Sequence, residues 1–188
     1  MNFRQINEIE KEIIISSLSN TSPKSLRIFE DLKTNLYISI GGLISINKYP
    51  EIYLVSKNQY NLLNSLITNK IISAGLYFGF IKKGNFFLSL EGLEFLFKSN
   101  LFSDLKRINV DDKVEKSILY GNNILKNMIL KSPVNIKQKD ILVILNKFDE
   151  VIAIAQSKQD HQNIQQLKPN EIIAINLNDK GYYLRKNQ

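Results

Sequence analysis

The stretch Ser117-Ile118-Leu119-Tyr120-Gly121-Asn122-Asn123-Ile124-Leu125-Lys126 marks the point at which the pattern of the chain changes. Before it, helix and strand patterns alternate, whereas after it short strand patterns follow one another closely. We predict a single helix over Tyr120–Leu130, because Ile124 and Met128 lie one turn apart and opposite a polar face. One helix followed by closely spaced strands is typical of a small β-barrel or pseudo-barrel.

On the C-terminal side of this stretch the sequence predicts strands and a basic tail. The strands are Ile141–Leu145, Val151–Ala155 and Glu171–Leu177. A turn at Asn178-Asp179-Lys180-Gly181 then leads into a last strand at Tyr182–Arg185. On the N-terminal side, Asp111-Asp112-Lys113 is predicted to be a linker, which divides the chain into domains 1–111 and 113–188.

The first domain shows the signals of an α+β fold with an antiparallel sheet flanked by helices. Asn7 and Glu10 form a capping box that predicts a helix to about Leu18, and Ser56 and Gln59 repeat this pattern. The other predicted elements are a helix starting at Ser22-Pro23, a helix with the buried stripe Leu62, Leu63, Leu66 and Ile67, strands Leu36–Ile40, Glu51–Val55 and Leu105–Val110, a hairpin over 73–89 that turns at Lys82-Lys83-Gly84-Asn85, and a helix from Ser89 to Leu96.

Composition excludes several kinds of site. The 188 residues contain no Cys and one His, His161, which we expect to be a solvated loop residue. Disulfides, thiolate ligands and His-rich metal sites are therefore not expected, and we predict neither a metal nor a cofactor. No catalytic constellation is recognisable, so the prediction is a protein that is not an enzyme.

The chain lacks the apolar run of roughly 20 residues that a membrane span requires. Its N-terminus leads into a charged helix, which does not resemble a signal peptide. We expect a soluble intracellular protein that is a monomer on its own and has no membrane partner.

Positive charge is concentrated in the second domain. Residues 1–112 contain 13 Lys and Arg against 11 Asp and Glu, whereas residues 113–188 contain 12 against 7. A basic domain favours polyanions through counterion release, so nucleic acid or an acidic partner is expected. The nearly neutral first domain is expected to dock other proteins.

Three motifs together resemble the Nip-seven family of large-subunit ribosome biogenesis factors. The stretch from Ser117 to Lys126 resembles the family signature FLYGNHVLK, and the tail Asn178–Arg185 is similar to its ending aDiGEYLR. The hairpin that begins at Gly75-Leu76-Tyr77-Phe78-Gly79-Phe80 and continues at Lys83-Gly84-Asn85-Phe86 is similar to its LGtcfGkft…GkFrL segment. The motifs are in register over nearly the whole chain.

The resemblance implies an α+β fold in which a pre-PUA domain precedes a C-terminal PUA β pseudo-barrel. It also implies a non-catalytic role in pre-rRNA processing and large ribosomal subunit assembly, with pre-rRNA and other assembly factors as partners. The location would be cytoplasmic in an archaeon and nucleolar in a eukaryote. We expect the RNA contacts to come from Asn122, Lys126, Lys131, Lys137, Lys139, Lys158 and Arg185.

Two alternatives remain open at this point. The family glycines of one PUA strand are replaced by Ala153 and Ala155, which permits a protein–protein scaffold with little intrinsic RNA binding. An RNA-modifying enzyme is the other alternative, although residues 1–112 show no catalytic constellation. Tyr182 and Tyr183 are candidates either for stacking on bases or for packing within the fold.

Overall fold

The structure is a computed structural model that describes residues 2–19, 35–40, 49–65, 71, 74–99, 106–130 and 135–185. The chain folds into two units, Met1–Ser103 and Asp104–Gln188. Each unit combines helices with a sheet of five strands, so the predicted α+β class is confirmed. None of the described helices is long and apolar enough to cross a membrane.

The first unit contains an antiparallel sheet, as the sequence predicts, and its strands pair in chain order. Its first strand, Asn2–Gln5, was not predicted. The predicted hairpin is formed by its last two strands, which turn at Lys83 and Gly84. The elements are β1 Asn2–Gln5, α1 Glu8–Ser19, β2 Leu36–Ile40, β3 Glu51–Leu54, α2 Lys57–Ser65, β4 Leu76–Lys82, β5 Asn85–Leu88 and α3 Leu90–Lys98.

Both predicted capping boxes are present in the structure. The Glu10 N–H donates to Asn7 Oδ1 at 2.9 Å, and the Asn7 N–H donates to Glu10 Oε2 at 2.8 Å. Ser56 and Gln59 exchange the same pair of bonds ahead of α2. These bonds satisfy N–H groups that the first turn of a helix leaves without intrahelical partners.

Helix α2 covers part of one face of the first sheet. Leu63 packs there against Phe3, Tyr37 and Val55. Leu62, expected in the same buried stripe, is 59% exposed and lies on the outer side of the helix, so that assignment was wrong. The predicted helix starting at Ser22-Pro23 and the stripe residues Leu66 and Ile67 lie outside the described residues.

The second unit contains a curled sheet in the order β6-β8-β9-β10-β7. β6 pairs with β8 in parallel, and the remaining pairs are antiparallel. The elements are β6 Lys106–Asn109, α4 Asp112–Leu119, β7 Ile124–Leu125, a 3₁₀ turn Lys126–Met128, β8 Ile141–Leu145, β9 Val151–Ser157, α5 His161–Gln166, β10 Ile172–Asp179 and α6 Tyr182–Arg185.

The core of the second unit includes the two alanines that replace the family glycines. Ala153 and Ala155 are fully buried and pack in one cluster with Ile108, Ile118 and Ile144. Their methyl groups therefore fill the interior of the unit and lie away from solvent.

The helix predicted over Tyr120–Leu130 was wrong. Helix α4 begins at Asp112 and ends at Leu119, because Asp111 caps its start and Gly121 takes the left-handed conformation after its end, with a φ of +88°. Residues beyond Gly121 therefore form β7 and the 3₁₀ turn, and Asn122 and Lys126 do not share a helix face.

Two further expectations change at the ends of the second unit. Asp111-Asp112-Lys113 is the cap and first turn of α4 instead of a linker, and β6 before it belongs to the second sheet. The tail Tyr182–Arg185, expected as a strand, is the short helix α6. Backbone N–H groups of Leu184 and Arg185 donate to the Gly181 carbonyl, which closes that turn.

Replacing the Asp111 cap should destabilise the second unit. In Asp111→Ala the Val114 N–H loses the carboxylate oxygen that accepts its bond at 2.8 Å. We expect a loss of about 1 kcal/mol in the free energy of unfolding, measured by chemical denaturation. Asp111→Asn keeps the cap and should remain close to wild type. Equal losses in the two variants would show that charge, and not capping, is what matters.

Candidate nucleic-acid interface

The turn after α4 is a helix-ending motif built by two backbone hydrogen bonds. The Gly121 N–H donates to the Ile118 carbonyl at 2.8 Å, and the Asn122 N–H donates to the Ser117 carbonyl at 3.3 Å. This pattern is the Schellman motif, in which a left-handed residue ends the helix. It leaves the Tyr120 side chain 77% exposed on the outside of the turn.

A buried carboxylate joins this turn to the tail. Asp179, with a side chain only 3% exposed, accepts two bonds from the guanidinium of Arg185, both at 2.9 Å. The Gly181 N–H and the Asn176 side-chain amide also donate to it, at 2.9 and 3.1 Å. Arg185 Nη1 donates in addition to the Leu119 carbonyl. The hydrogen bond with Asp179 raises the pKa of Arg185 above its ordinary value.

The contact between turn and tail depends on two glycines. A Cβ at Gly181 would lie 1.9 Å from the Leu119 carbonyl oxygen, which no side chain can tolerate. A Cβ at Gly121 would lie 3.1 Å from Arg185 Nη2, so the guanidinium rests against this glycine. The motifs at 117–126 and 178–185, which carry the family resemblance, are thus one structural assembly.

Two other predicted contact residues are also engaged in internal bonds. Asn122 Nδ2 donates to Ser117 Oγ at 3.1 Å, and the Asn122 carbonyl accepts a bond from Asn176. Lys126 Nζ donates to the carbonyls of Gln165 and Leu167 at 2.6 and 2.7 Å, at the C-terminal end of α5. A cation there satisfies helix-end carbonyls and complements the helix dipole.

Three predicted lysines are brought together at the end of the sheet where β8 begins and β9 ends. The Lys139 N–H donates to the Ser157 carbonyl, and the Lys158 N–H donates to the Ile173 carbonyl, both at 2.8 Å. Lys137 is two residues before Lys139 on the same loop. We call Lys137, Lys139 and Lys158 the lysine end. Their side chains are exposed, and within the described part of the chain none of them makes an ion pair.

The carboxylates at the lysine end are used to hold its loops. Asp140 Oδ2 accepts the Lys137 N–H at 2.5 Å and also contacts the ammonium of Lys106. Asp160 Oδ1 accepts the Gln138 N–H at 2.8 Å. These bonds draw the acids onto the backbone, whereas the lysine side chains extend into solvent. Positive charge therefore dominates the outer surface.

Lys106 and Lys168 lie at the same end of the sheet and were not predicted as site residues. Lys106 pairs in register with Leu142 at the start of β8, and Lys168 follows α5. Their positions next to the ends of predicted strands are the sequence signal that could have identified them. His161, expected in a loop, is the first residue of α5, and its N–H donates to the Ile136 carbonyl at 2.8 Å.

The opposite end of the sheet has a different charge balance. The side-chain amide of Asn146, after β8, donates to Glu150 Oε2 at 2.9 Å, and Lys147 pairs with Asp112 at 2.6 Å. Asp149 accepts a bond from Asn109 in the same region. Acidic and basic groups alternate there, so the positive field of the second unit is concentrated at the lysine end.

Some expectations are not tested by this geometry. Lys131 lies outside the described residues, so its predicted role stays a prediction. Among the residues that the structure describes, no three His, Cys, Asp or Glu side chains are grouped so that they could hold a metal ion.

Comparison with known proteins agrees with this architecture. Residues 106–188 match the family model described as the UPF0113 PUA domain. A UPF0113 protein of Archaeoglobus fulgidus is 26% identical over 98% of this chain and 95% of its own length. A 60S ribosome subunit biogenesis protein NIP7 homolog of Tetraodon nigroviridis is 23% identical over 97% of this chain and 96% of its own length. The similarity to these relatives extends over nearly the whole chain, in agreement with the resemblance of its motifs to the Nip-seven family.

Solved structures confirm the fold of the chain. A hypothetical protein from Pyrococcus horikoshii OT3 superposes with a TM-score of 0.65 at 13% identity, covering 95% of this chain and 94% of the other. A conserved PUA domain protein from Thermoplasma acidophilum gives a TM-score of 0.58 at 14% identity, covering 99% of both chains. The predicted C-terminal PUA pseudo-barrel is therefore confirmed.

Replacing the Arg185 side chain should lower the thermal stability of the protein. In Arg185→Lys an ammonium replaces the planar fork, so Asp179 keeps at most a single-point partner. We expect the thermal unfolding midpoint to fall by roughly 4 °C or more, measured by circular dichroism. Lys180→Arg, in the neighbouring turn, is the control and should leave the midpoint unchanged. An unaltered midpoint in Arg185→Lys would contradict the structural role of this pair.

Proposed function

We propose that this protein is a member of the Nip-seven family and a non-catalytic RNA-binding factor in pre-rRNA processing and large ribosomal subunit assembly, and that its second unit binds the RNA. The observation that carries the proposal is the lysine end, where Lys137, Lys139 and Lys158 extend from adjoining loops and make no ion pair with the described residues. Relatives named as 60S ribosome subunit biogenesis proteins match the chain over most of its length and support the cellular role.

The chemistry of the lysine end suits a phosphate backbone. Phosphates along a nucleic-acid strand are spaced regularly, and exposed ammonium groups on neighbouring loops can neutralise several of them at once. Lysine supplies a flexible point charge with three donors, so the contact requires no fixed phosphate orientation. Such a surface gives affinity and steering without reading a base sequence.

The loops that carry these lysines are held in place before RNA arrives. The backbone of Lys139 is bonded to Ser157, and that of Gln138 to Asp160. A loop that is already ordered loses less conformational entropy on binding than a free one does. The cations are therefore presented by a rigid backbone, and only their side chains need to be ordered.

Removing the lysine end should weaken RNA binding. In the full-length triple variant Lys137→Ala, Lys139→Ala and Lys158→Ala, we expect affinity for a single-stranded RNA to fall at least about tenfold at low salt, since charge-assisted contacts are each worth about 1 kcal/mol or more. Fluorescence anisotropy with a labelled oligouridine measures the change.

The matched control removes the same charge from the same unit. The control uses three exposed lysines. Lys113 and Lys116 lie on α4, and Lys147 follows the end of β8 and pairs with Asp112 at the start of α4. Their triple alanine variant should lose much less affinity. If both triple variants lost the same affinity, general charge would explain binding and the lysine end would not be the site.

The salt dependence of binding provides a second test. With three to five cations engaged, the slope of log K against log salt concentration should be roughly −2 to −3.5 for single-stranded RNA. Removing three engaged lysines should make the slope shallower by roughly 2. A slope near zero for the wild-type protein would contradict electrostatic RNA binding.

A protein scaffold is the second candidate, and exposed apolar side chains favour it. Leu184 in α6 is 75% exposed and Leu177 in β10 is 52% exposed. Large apolar side chains exposed to solvent can take part in a protein contact. A wild-type protein that fails to bind RNA at low salt would favour this second function.

A further inference from the structure

Three aromatic rings form a stack on the surface of the first unit. Tyr49 precedes β3, Phe80 is on β4 and Phe87 is on β5. The ring centroids of Tyr49 and Phe80 are 5.9 Å apart with planes 21° from parallel, and those of Phe80 and Phe87 are 5.2 Å apart with planes at 13°. We call these three rings the aromatic ladder.

The ladder lies outside both hydrophobic layers of the unit. On the same sheet face, Phe3 and Tyr37 pack with Leu63 under α2. Phe78 and Phe86 are buried, and the Phe78 ring approaches α3 at Gly92 on the other face. Phe80 and Phe87 are cross-strand partners on the α2 face, and neither belongs to the cluster that the described residues form under α2. Phe87 is 46% exposed, an unusual position for a phenylalanine that only fills a core.

One end of the ladder is capped and the other is open. Lys82 Nζ lies 4.8 Å above the centroid of the Tyr49 ring. Phe80 occupies the middle of the stack. At the far end, Phe87 is on the edge strand of the sheet, and no ring among the described residues stacks on its outer face. A further flat ring can therefore be added at Phe87.

The charge beside the ladder favours an anion. Lys82 and Lys83 are at the hairpin turn, and Lys83 is exposed and makes no ion pair within the described ranges. The Asn85 side chain donates to the Lys83 carbonyl at 3.2 Å and fixes the turn. Glu51, opposite Phe80 in the register, is buried, and its Oε2 accepts the Tyr53 hydroxyl at 2.8 Å. Its carboxylate is therefore withdrawn from the surface.

We propose that the aromatic ladder is a stacking platform for single-stranded RNA, with one base on the open face of Phe87 and a phosphate of the same strand at Lys83. This inference relies on the proposed function for the identity of the ligand, and its site lies in the first unit, whereas the lysine end is in the second. Bases of any sequence present a flat π-face, so stacking tolerates sequence, and a nearby cation holds the backbone. Apolar rings beside the exposed Lys83 match a nucleotide better than an apolar protein segment, which would leave that cation without a partner.

The platform predicts a preference for unpaired nucleotides. A base in a duplex is already stacked on both faces and cannot lie on Phe87, whereas a base in a loop or single strand can. Stacking does not read base edges, so the class of ligand is single-stranded RNA, with purines favoured over pyrimidines by their larger stacking area.

The test uses the full-length protein and a short oligouridine that carries a single 2-aminopurine, whose fluorescence is quenched when it stacks on an aromatic ring. Phe87→Leu keeps the apolar bulk but removes the π-face. We expect it to lose most of the quenching and to bind roughly fivefold or more weakly. Phe87→Tyr restores a ring and should restore both. Lys83→Gln should weaken binding without abolishing the quenching at saturation.

Two controls test whether the second unit or misfolding could explain a loss of quenching. Tyr120→Leu removes the exposed ring of the second unit and should keep the larger part of the quenching. Thermal unfolding of Phe87→Leu should match that of Phe87→Tyr. If Phe87→Leu quenches the probe and binds it as the wild type does, the platform proposal is wrong. That conclusion holds even if the variant changes the binding of a protein partner.

The failure of this inference is distinguishable from failure of the proposed function. If the wild type binds the probe and the lysine-end triple variant does not, but Phe87→Leu behaves as wild type, the platform alone is wrong. If the wild type does not bind the probe at low salt, RNA binding itself is wrong and the platform falls with it.

Discussion

The second unit depends on one buried charge, the carboxylate of Asp179. A carboxylate removed from water is costly unless every lone pair finds a donor, and here Arg185, Gly181 and Asn176 supply the donors. Because Arg185 also donates to the Leu119 carbonyl, the same charge holds the end of β10, the tail and the end of α4 together. Two motifs far apart in the sequence are therefore needed for one interaction.

This arrangement explains why basic residues in this unit differ in their roles. Arg185 and Lys126 carry long side chains that reach inward to carbonyl or carboxylate oxygens, so their donors are largely used by the fold. Lys139 and Lys158 instead bond through their backbones and leave their ammonium groups in water. The residues of the two motifs accordingly hold the fold together, whereas the surface that we propose for RNA comes from loops outside the motifs.

Features that depend on interactions between residues close in the sequence could be predicted from the sequence. Two capping boxes, Asn7–Glu10 and Ser56–Gln59, and the hairpin turn at Gly84 were predicted correctly, since each depends on residues a few positions apart. The α+β class was also predicted correctly, because it follows from the order of helix and strand patterns along the chain. The helix at 120–130 was wrong because amphipathic spacing was given more weight than Gly121, whose left-handed φ ends α4. The grouping of the lysine end depends on the pairing of β8 with β9, which local pattern does not determine.

The two proposed RNA surfaces would bind RNA through different interactions, phosphate contacts at one and base stacking at the other, and would therefore have different roles. Phosphate contacts at the lysine end weaken as salt displaces counterions and accept any strand. Stacking on Phe87 is less sensitive to salt and requires a base that is free of its partner. On these two proposals, affinity is set mainly by the second unit, and the choice of unpaired RNA by the first.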